Sequence, residues 1–163
     1  MTELAWLFPY LLFLHILGAI AGFGPSFAFP IVGAMGGKER EHGNFATRVS
    51  ETISNRLVYP IGITLPITGA VMILVLGLDL TAQSNWWLDV AIVLYVIAYG
   101  YSFFVQRKTV ARVIEITSAP PPPDASGPPP ELMGLVKRIQ RGGMGLTVLL
   151  LAIIFLMVVK PGR

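Results

Sequence analysis

Residues 4–35 read LAWLFPYLLFLHILGAIAGFGPSFAFPIVGAM and contain no Asp, Glu, Lys or Arg. A run this long exceeds the ~20 apolar residues that an α-helix needs to cross a bilayer. Trp6, a residue type favoured at membrane interfaces, stands near its start. His15 follows ~13 Å further along a helix, close to the bilayer centre. The stretch therefore predicts a first membrane span with one ionisable side chain inside it.

An ionisable residue inside a span is a functional-site hypothesis by default. Gly18 and Gly22 follow His15 at helical spacing, and so share its face of the helix. The same face continues through Ser26, Pro30, Gly33 and Gly37. Small residues let another backbone or a flat cofactor approach closely. Two interpretations stay open: His15 binds a group, or it hydrogen-bonds a carbonyl or hydroxyl of a neighbouring helix.

Composition indicates a membrane protein with a single domain over residues 1–163. Of the 163 residues, 54% are hydrophobic and 13% are charged. Cysteine is absent, which excludes disulfides, thiolate catalysis and cysteine-ligated metals. The sequence shows no P-loop, no acidic pair inside a span and no cluster of His and carboxylates, so it identifies no catalytic residue. The net charge of +3 does not predict nucleic-acid binding, because Lys and Arg sort by membrane side.

Hydropathy predicts an all-α integral membrane four-helix bundle, with spans of about 5–35, 57–78, 86–106 and 144–159. Trp86 and Trp87 are expected to mark a membrane interface at the start of the third span. Pro60 and Pro66 lie inside the second span, and each removes a backbone donor. We expect the hydroxyls of Thr64 and Thr68 to satisfy the carbonyls that are freed.

The connection after the first span predicts a short amphipathic cytoplasmic helix. Phe45, Val49 and Ile53 recur every four residues in otherwise polar sequence. We expect this helix to lie on the membrane surface before the second span, with Asn44 as its N-cap.

The third span carries a stripe of polar side chains on one face, formed by Tyr95, Tyr99, Ser102 and Gln106. Ordinary hydrogen bonding between helices is the favoured interpretation for most of them.

The connection after the third span contains seven prolines in APPPPDASGPPPE, and residues 118–130 are expected to form a disordered linker. Ten of the twelve Lys and Arg residues lie in the connections after spans one and three. The positive-inside rule therefore places both connections in the cytoplasm and both termini outside.

A b-type haem needs an imidazole ligand and a flat surface of small residues, which makes haem the most specific hypothesis for His15. In this hypothesis His15 ligates the iron, Gly18 and Gly22 line the porphyrin, and Arg56 or Lys160 pairs with a propionate. The alternatives are a non-catalytic membrane scaffold or accessory subunit, as a homo-oligomer or with a partner membrane protein, and a transporter of a metal or small solute.

Short motifs follow one another in a fixed order across all four predicted spans. They are Leu14-His15 with Pro30, Arg56-Leu57 with Pro66, Trp87-Leu88, and Val158 to Pro161. This layout resembles the J-type protoporphyrinogen oxidase family and the wider copper-resistance-D-like superfamily of small bacterial membrane proteins. The Gly-Phe-Gly-Pro at residues 22–25 is similar to a branch described as predicted integral membrane proteins.

The resemblance implies a four-helix protein of the bacterial inner membrane with a haem-type histidine at His15. Other polar positions of the oxidase family are not kept, since this chain has Ile31, Ala91, Ser102 and Gly143-Met144 there. The resemblance therefore does not extend to porphyrinogen oxidation, and haem binding is the part of it that this sequence retains.

Overall fold

The computed structural model describes residues 4–119 and 127–162, apart from the side chain of Arg40. Over these residues the chain is helical, which confirms the all-α bundle. It has helices long and apolar enough to cross a membrane at Ala5–Lys38, Gly43–Leu76, Gln83–Ser118 and Pro130–Val159.

Six α-helices make up these spans, and they are labelled in chain order. They are α1 (Phe8–Lys38), α2 (Gly43–Ile53), α3 (Tyr59–Leu76), α4 (Trp86–Tyr101), α5 (Arg107–Ser118) and α6 (Pro130–Val159). Short 3₁₀ turns cover Ala5–Leu7, Arg40–His42 and Gln83–Asn85. Two π-helical turns, Ser54–Val58 and Ser102–Gln106, join α2 to α3 and α4 to α5 without a break.

The helices pack in chain order around the bundle. Helix α1 packs on α2 and α3, α4 and α5 pack on α6, and α2 packs on α5. A smaller contact between α1 and α6 closes the ring. The start of α1 and the end of α6 therefore lie at the same end of the bundle, which we call the terminal end. Helices α2 and α5 lie at the opposite end, which we call the α2–α5 end.

The amphipathic helix predicted after the first span exists as α2, but it is not separate from the second span. It continues through the π turn into α3, so the whole helix runs from Gly43 to Leu76. The turn precedes Pro60, which has no N–H and whose ring would clash with the carbonyl four residues earlier in a regular α-helix. The wider turn, closed by Tyr59 N–H on the carbonyl of Ser54, accommodates this proline.

The prediction that Asn44 caps α2 is wrong. The residue before the helix is His42, and no side-chain cap is formed there. The Asn44 amide instead donates hydrogen bonds to the hydroxyls of Thr117 (2.8 Å) and Ser118 (3.1 Å) at the end of α5. Asn44 therefore ties α2 to α5 instead of starting its own helix.

The fourth helix also starts earlier than its predicted span. Helix α6 runs unbroken from Pro130 to Val159, so residues 131–141 and 144–159 form one element. Of the predicted linker 118–130, Ser118 ends α5 and Pro130 begins α6, whereas residues 120–126 lie outside the described residues.

Trp87 faces the inside of the bundle, so its expected position at the membrane interface stays a prediction. This side chain is 4% exposed and packs with Leu88, Ala91 and Leu156 in the core cluster at the terminal end of the bundle. Trp86, by contrast, is 43% exposed. Helical geometry explains the difference, because adjacent residues point about 100° apart around the axis.

Candidate functional site

His15 lies half-buried on α1 and faces α3. Its Nδ1 atom is 2.8 Å from the hydroxyl of Thr68. That hydroxyl also lies within hydrogen-bonding distance of the carbonyls of Thr64 (3.0 Å) and Leu65 (3.1 Å). Since a threonine hydroxyl has a single proton, we assign that proton to a carbonyl and assign His15 as the donor to Thr68. His15 thus bridges α1 to α3.

Gly18 and Gly22 are buried in the same contact between α1 and α3. A Cβ atom on Gly18 would lie 3.3 Å from Cδ2 of Leu65, and one on Gly22 would lie 3.4 Å from Cγ2 of Ile61. Helix α3 therefore covers the surface that these glycines were expected to offer a flat cofactor. Helices α1 and α3 approach closely here because glycine has no side chain, as is usual for stripes of small residues in membrane helices.

The continuation of this glycine stripe differs from the sequence expectation. A Cβ on Gly33 or Gly37 would meet nothing within 4 Å, so these two glycines do not mediate packing. Gly36 does, since a Cβ there would lie 2.7 Å from the Cβ of Ala46 on α2.

Arg56 is not brought to His15. It stands in the π turn, twelve residues before Thr68 on the same continuous helix, or about 18 Å along the axis. Lys160 is also engaged elsewhere, with its Nζ atom 5.6 Å from the ring centroid of Trp87.

The surroundings of His15 therefore do not fit a haem. Helix α3 covers Gly18 and Gly22, which were expected to line the porphyrin. No group of three or more His, Cys, Asp or Glu side chains that could hold a metal occurs within residues 4–119 and 127–162. Haem binding at His15 stays a prediction.

A second set of polar contacts joins α3 to α4 through tyrosines. The Tyr95 hydroxyl donates to the carbonyl of Gly62. In a regular helix that carbonyl would accept from the residue four positions later, which here is Pro66 and has no N–H. Tyr95 therefore supplies the missing donor, a role that the sequence had assigned to threonine hydroxyls.

The threonine hydroxyls bond to other carbonyls. Thr64 donates to Ile61 and Thr68 to Thr64 or Leu65, so neither reaches Gly62. Their bonds are local ones within α3, the usual pattern for Thr in a helix.

The π turns take part in the same network. Tyr99 donates to the carbonyl of Tyr59 (3.0 Å), and Tyr59 donates to the carbonyl of Ser102 (3.1 Å). Gln106 donates to the carbonyl of Ile139 on α6 (3.0 Å). Interhelical hydrogen bonding of the predicted stripe is thus confirmed for Tyr95, Tyr99 and Gln106, whereas Ser102 contributes its carbonyl. The role of Tyr59, which follows the π turn Ser54–Val58, was not predicted from the sequence.

Aromatic packing fills the space between these helices. The rings of Tyr95 and Tyr99 stack with centroids 5.9 Å apart, and Tyr99 stacks on Phe103 at 6.2 Å. A Cβ on Gly62 would lie 2.6 Å from Cε2 of Tyr99, so this glycine makes room for the ring. The Arg107 guanidinium lies 5.1 Å from the centroid of Phe103, a cation–π contact at the α2–α5 end.

Outside the spans, Asp79 stabilises the turn between α3 and α4. Its carboxylate accepts from the hydroxyl (2.7 Å) and the N–H (2.8 Å) of Thr81. These hydrogen bonds hold the pKa of Asp79 below its usual value. Asn85 closes the turn by donating to the Asp79 carbonyl (2.8 Å), so this carboxylate has a structural role.

Comparison with known proteins gives a family but no activity. No curated protein and no solved structure matches the chain. The proposed link to the protoporphyrinogen oxidase and copper-resistance-D-like families stays a prediction. Residues 9–161 match the family described as predicted integral membrane protein (DUF2269), and the chain, with four helices of spanning length, therefore belongs to that family of integral membrane proteins.

Proposed function

We propose that this chain is a non-catalytic membrane scaffold or accessory subunit. The observation that carries the proposal is the bond between His15 and Thr68, over a glycine surface packed on α3. An imidazole committed to a neighbouring helix behaves as an interhelical hydrogen-bonding group, which is the second of the two interpretations of His15.

The other polar side chains of the spans support the same proposal. Tyr59, Tyr95, Tyr99 and Gln106 each donate to a backbone carbonyl of another helix. Polar groups arranged for chemistry or transport converge on a common cavity or pair with one another. Here they are distributed along helix contacts, where they fix the geometry of the bundle.

The outer face of α1 offers the surface that a scaffold would use. Fewer of its residues are buried within the protein than in any of the other three candidate spans. Tyr10, Phe13, Ile20 and Ile31 are each at least 64% exposed. Such a face suits lipid, a second copy of this chain or another membrane protein. We also propose a bacterial inner membrane, as the family resemblance implies, with both termini outside, as the distribution of Lys and Arg predicts.

The competing proposals are haem binding through His15 and transport of a metal or small solute. Haem content per folded protein separates the first from the scaffold. The protein is purified in detergent from haem-replete cells, as wild type, His15→Ala and His42→Ala. His42 is the matched control, because it is exposed and contacts Glu39 in the turn after α1, far from His15 in the sequence.

We expect no Soret band in any of the three proteins. His15→Ala should lose about 1 kcal/mol of stability, the scale of interhelical hydrogen bonds in membranes, because Thr68 loses its donor. His42→Ala should leave stability unchanged. A Soret band in wild type and His42→Ala that disappears in His15→Ala would refute the scaffold and establish the haem ligand.

A further inference from the structure

A groove of about 610 Å³ lies between α4 and α6, toward the α2–α5 end of the bundle. The α6 residues that line it recur every three or four positions from Gly134 to Leu149, so they form one continuous face of that helix. On the other side it is lined by Ile97 and Tyr101 of α4. This groove, called the α4–α6 groove, lies outside the contacts that hold His15.

One end of the α4–α6 groove is strongly cationic. Lys137, Arg138 and Arg141 line it, and all three are exposed. None of them forms an ion pair with an acidic residue that the structure describes, and no lining residue of the groove is acidic. Arg112 on α5 is different, because it pairs with both Glu115 and Glu131. Three unneutralised cations on one face are suited to an anion.

The other end of the groove is apolar and hollow. Ile97, Leu146 and Leu149 line it beyond the cations. The hollow continues along Gly145, where a Cβ would meet nothing within 4 Å. A soluble anion would gain nothing from this wall, whereas an acyl chain would bury apolar surface against it.

The dimensions also match a lipid at the membrane boundary. Lys137 and Arg141 precede the predicted fourth span of residues 144–159, and Leu149 lies inside it. From Lys137 to Leu149 the helix rises about 18 Å. One leaflet of the hydrocarbon core is ~15 Å deep, so the groove reaches from the headgroup level into the acyl region.

We propose that the α4–α6 groove binds an anionic glycerophospholipid of the cytoplasmic leaflet. The phosphate lies among Lys137, Arg138 and Arg141, and an acyl chain follows Ile97 and Leu149. Basic pockets between membrane helices on the cytoplasmic side recognise anionic headgroups in this way. The site is independent of the scaffold proposal, since it uses no residue around His15; only its assignment to the cytoplasmic leaflet rests on the proposed orientation.

The preference for an anionic headgroup is tested by changing the charge of the lipid and of the groove. Detergent-purified protein is mixed with phosphatidylglycerol or with phosphatidylcholine of the same acyl chains, and bound lipid per protein is counted by native mass spectrometry. Wild type should retain phosphatidylglycerol at least about tenfold better. The triple variant Lys137→Gln, Arg138→Gln, Arg141→Gln should bind it about 100-fold more weakly, the combined effect expected of three surface cations.

The matched control removes the same charge elsewhere. This second triple variant carries Lys38→Gln, Arg48→Gln and Lys108→Gln, at residues that do not line the α4–α6 groove. It should keep the wild-type preference for phosphatidylglycerol over phosphatidylcholine. Equal retention of the two lipids by wild type, or equal losses in the two triple variants, would overturn the proposal. Preserved binding in the groove variant would do the same.

The acyl chain is tested by filling the groove. Gly145 lines the groove, and a Cβ there would meet nothing within 4 Å, so Gly145→Leu should project a side chain into the groove and block the lipid. Gly143→Leu is the control, because a Cβ there also meets nothing within 4 Å and the residue does not line the groove. We expect phosphatidylglycerol retention to fall at least about tenfold in Gly145→Leu only. Equal retention by both variants would contradict an acyl chain in this position.

Inorganic phosphate distinguishes a lipid site from a simple anion site. Millimolar phosphate should leave the retained phosphatidylglycerol unchanged, because a free phosphate gains no apolar contact. Displacement of the lipid by phosphate at that concentration, with Gly145→Leu still binding phosphate, would assign the groove to a soluble anion and overturn the lipid proposal.

Discussion

Pro66 and Tyr95 illustrate at the scale of single residues how one missing N–H determines a contact on another helix. Pro66 leaves the carbonyl of Gly62 without its helical donor, and the Tyr95 hydroxyl donates to it. Inside a membrane no water replaces such a donor, so a chain with a mid-span proline needs a partner from elsewhere. The tyrosine is therefore part of how α3 tolerates its proline.

We predict that Tyr95→Phe destabilises the bundle by about 1 kcal/mol, because the Gly62 carbonyl loses its donor. In a Pro66→Ala background the same change should cost less, because alanine at position 66 carries the N–H that Gly62 needs. Unfolding free energies of the four proteins in this double-mutant cycle measure the coupling. Tyr10→Phe is the control, since Tyr10 is 65% exposed and its hydroxyl forms no hydrogen bond with the residues that the structure describes. If Tyr95→Phe lowers the unfolding free energy equally in both backgrounds, the Tyr95 hydroxyl does not compensate for the N–H that Pro66 lacks.

At the scale of helices, glycine positions decide which elements approach closely. Among the neighbours Gly33, Gly36 and Gly37, only Gly36 faces another helix, where it packs against Ala46 of α2. The sequence favoured Gly33 and Gly37, since they continue the stripe of His15 at regular spacing. The chain turns back into α2 after Lys38, and the position of that turn selects the face that is buried.

We expect Gly36→Ala to destabilise the contact between α1 and α2 by about 1–3 kcal/mol, since the added Cβ would lie 2.7 Å from that of Ala46. Gly37→Ala should be neutral or slightly stabilising, because its Cβ meets nothing within 4 Å and alanine favours helix. Unfolding of both variants in detergent checks the difference. Equal stabilities would mean that α1 and α2 do not pack at Gly36.

At the scale of the whole molecule, the four helices of spanning length would place both ends of the chain on the same side of a membrane if each of them crosses it. The polar extension formed by α2, α5 and the start of α6 lies at the opposite end of the bundle. Most of the Lys and Arg residues belong to this extension, which is the part that the positive-inside rule assigns to the cytoplasm.

We predict opposite signals from reporters that are active on different sides of the membrane, when they are fused at Ala125 and at the C-terminus. The fusion at Ala125 should report cytoplasm and the C-terminal fusion the outside, because ten of twelve basic residues lie in the two long connections. A fusion between Asp79 and Asn85 is the control and should agree with the C-terminal one. The same signal at Ala125 and the C-terminus would refute four crossings.

The number and order of the spans were predictable from the sequence, because a helix in lipid must be long and apolar whatever its neighbours are. The interhelical contacts of Tyr95 and Tyr99 were also predictable, because polar side chains in a membrane span turn toward other helices. Periodicity does not reveal which helix each face meets. The partners of His15, Gly18 and Asn44 were therefore decided by the tertiary structure, which set Thr68 beside His15 and covered with α3 the surface that the sequence had offered to a cofactor.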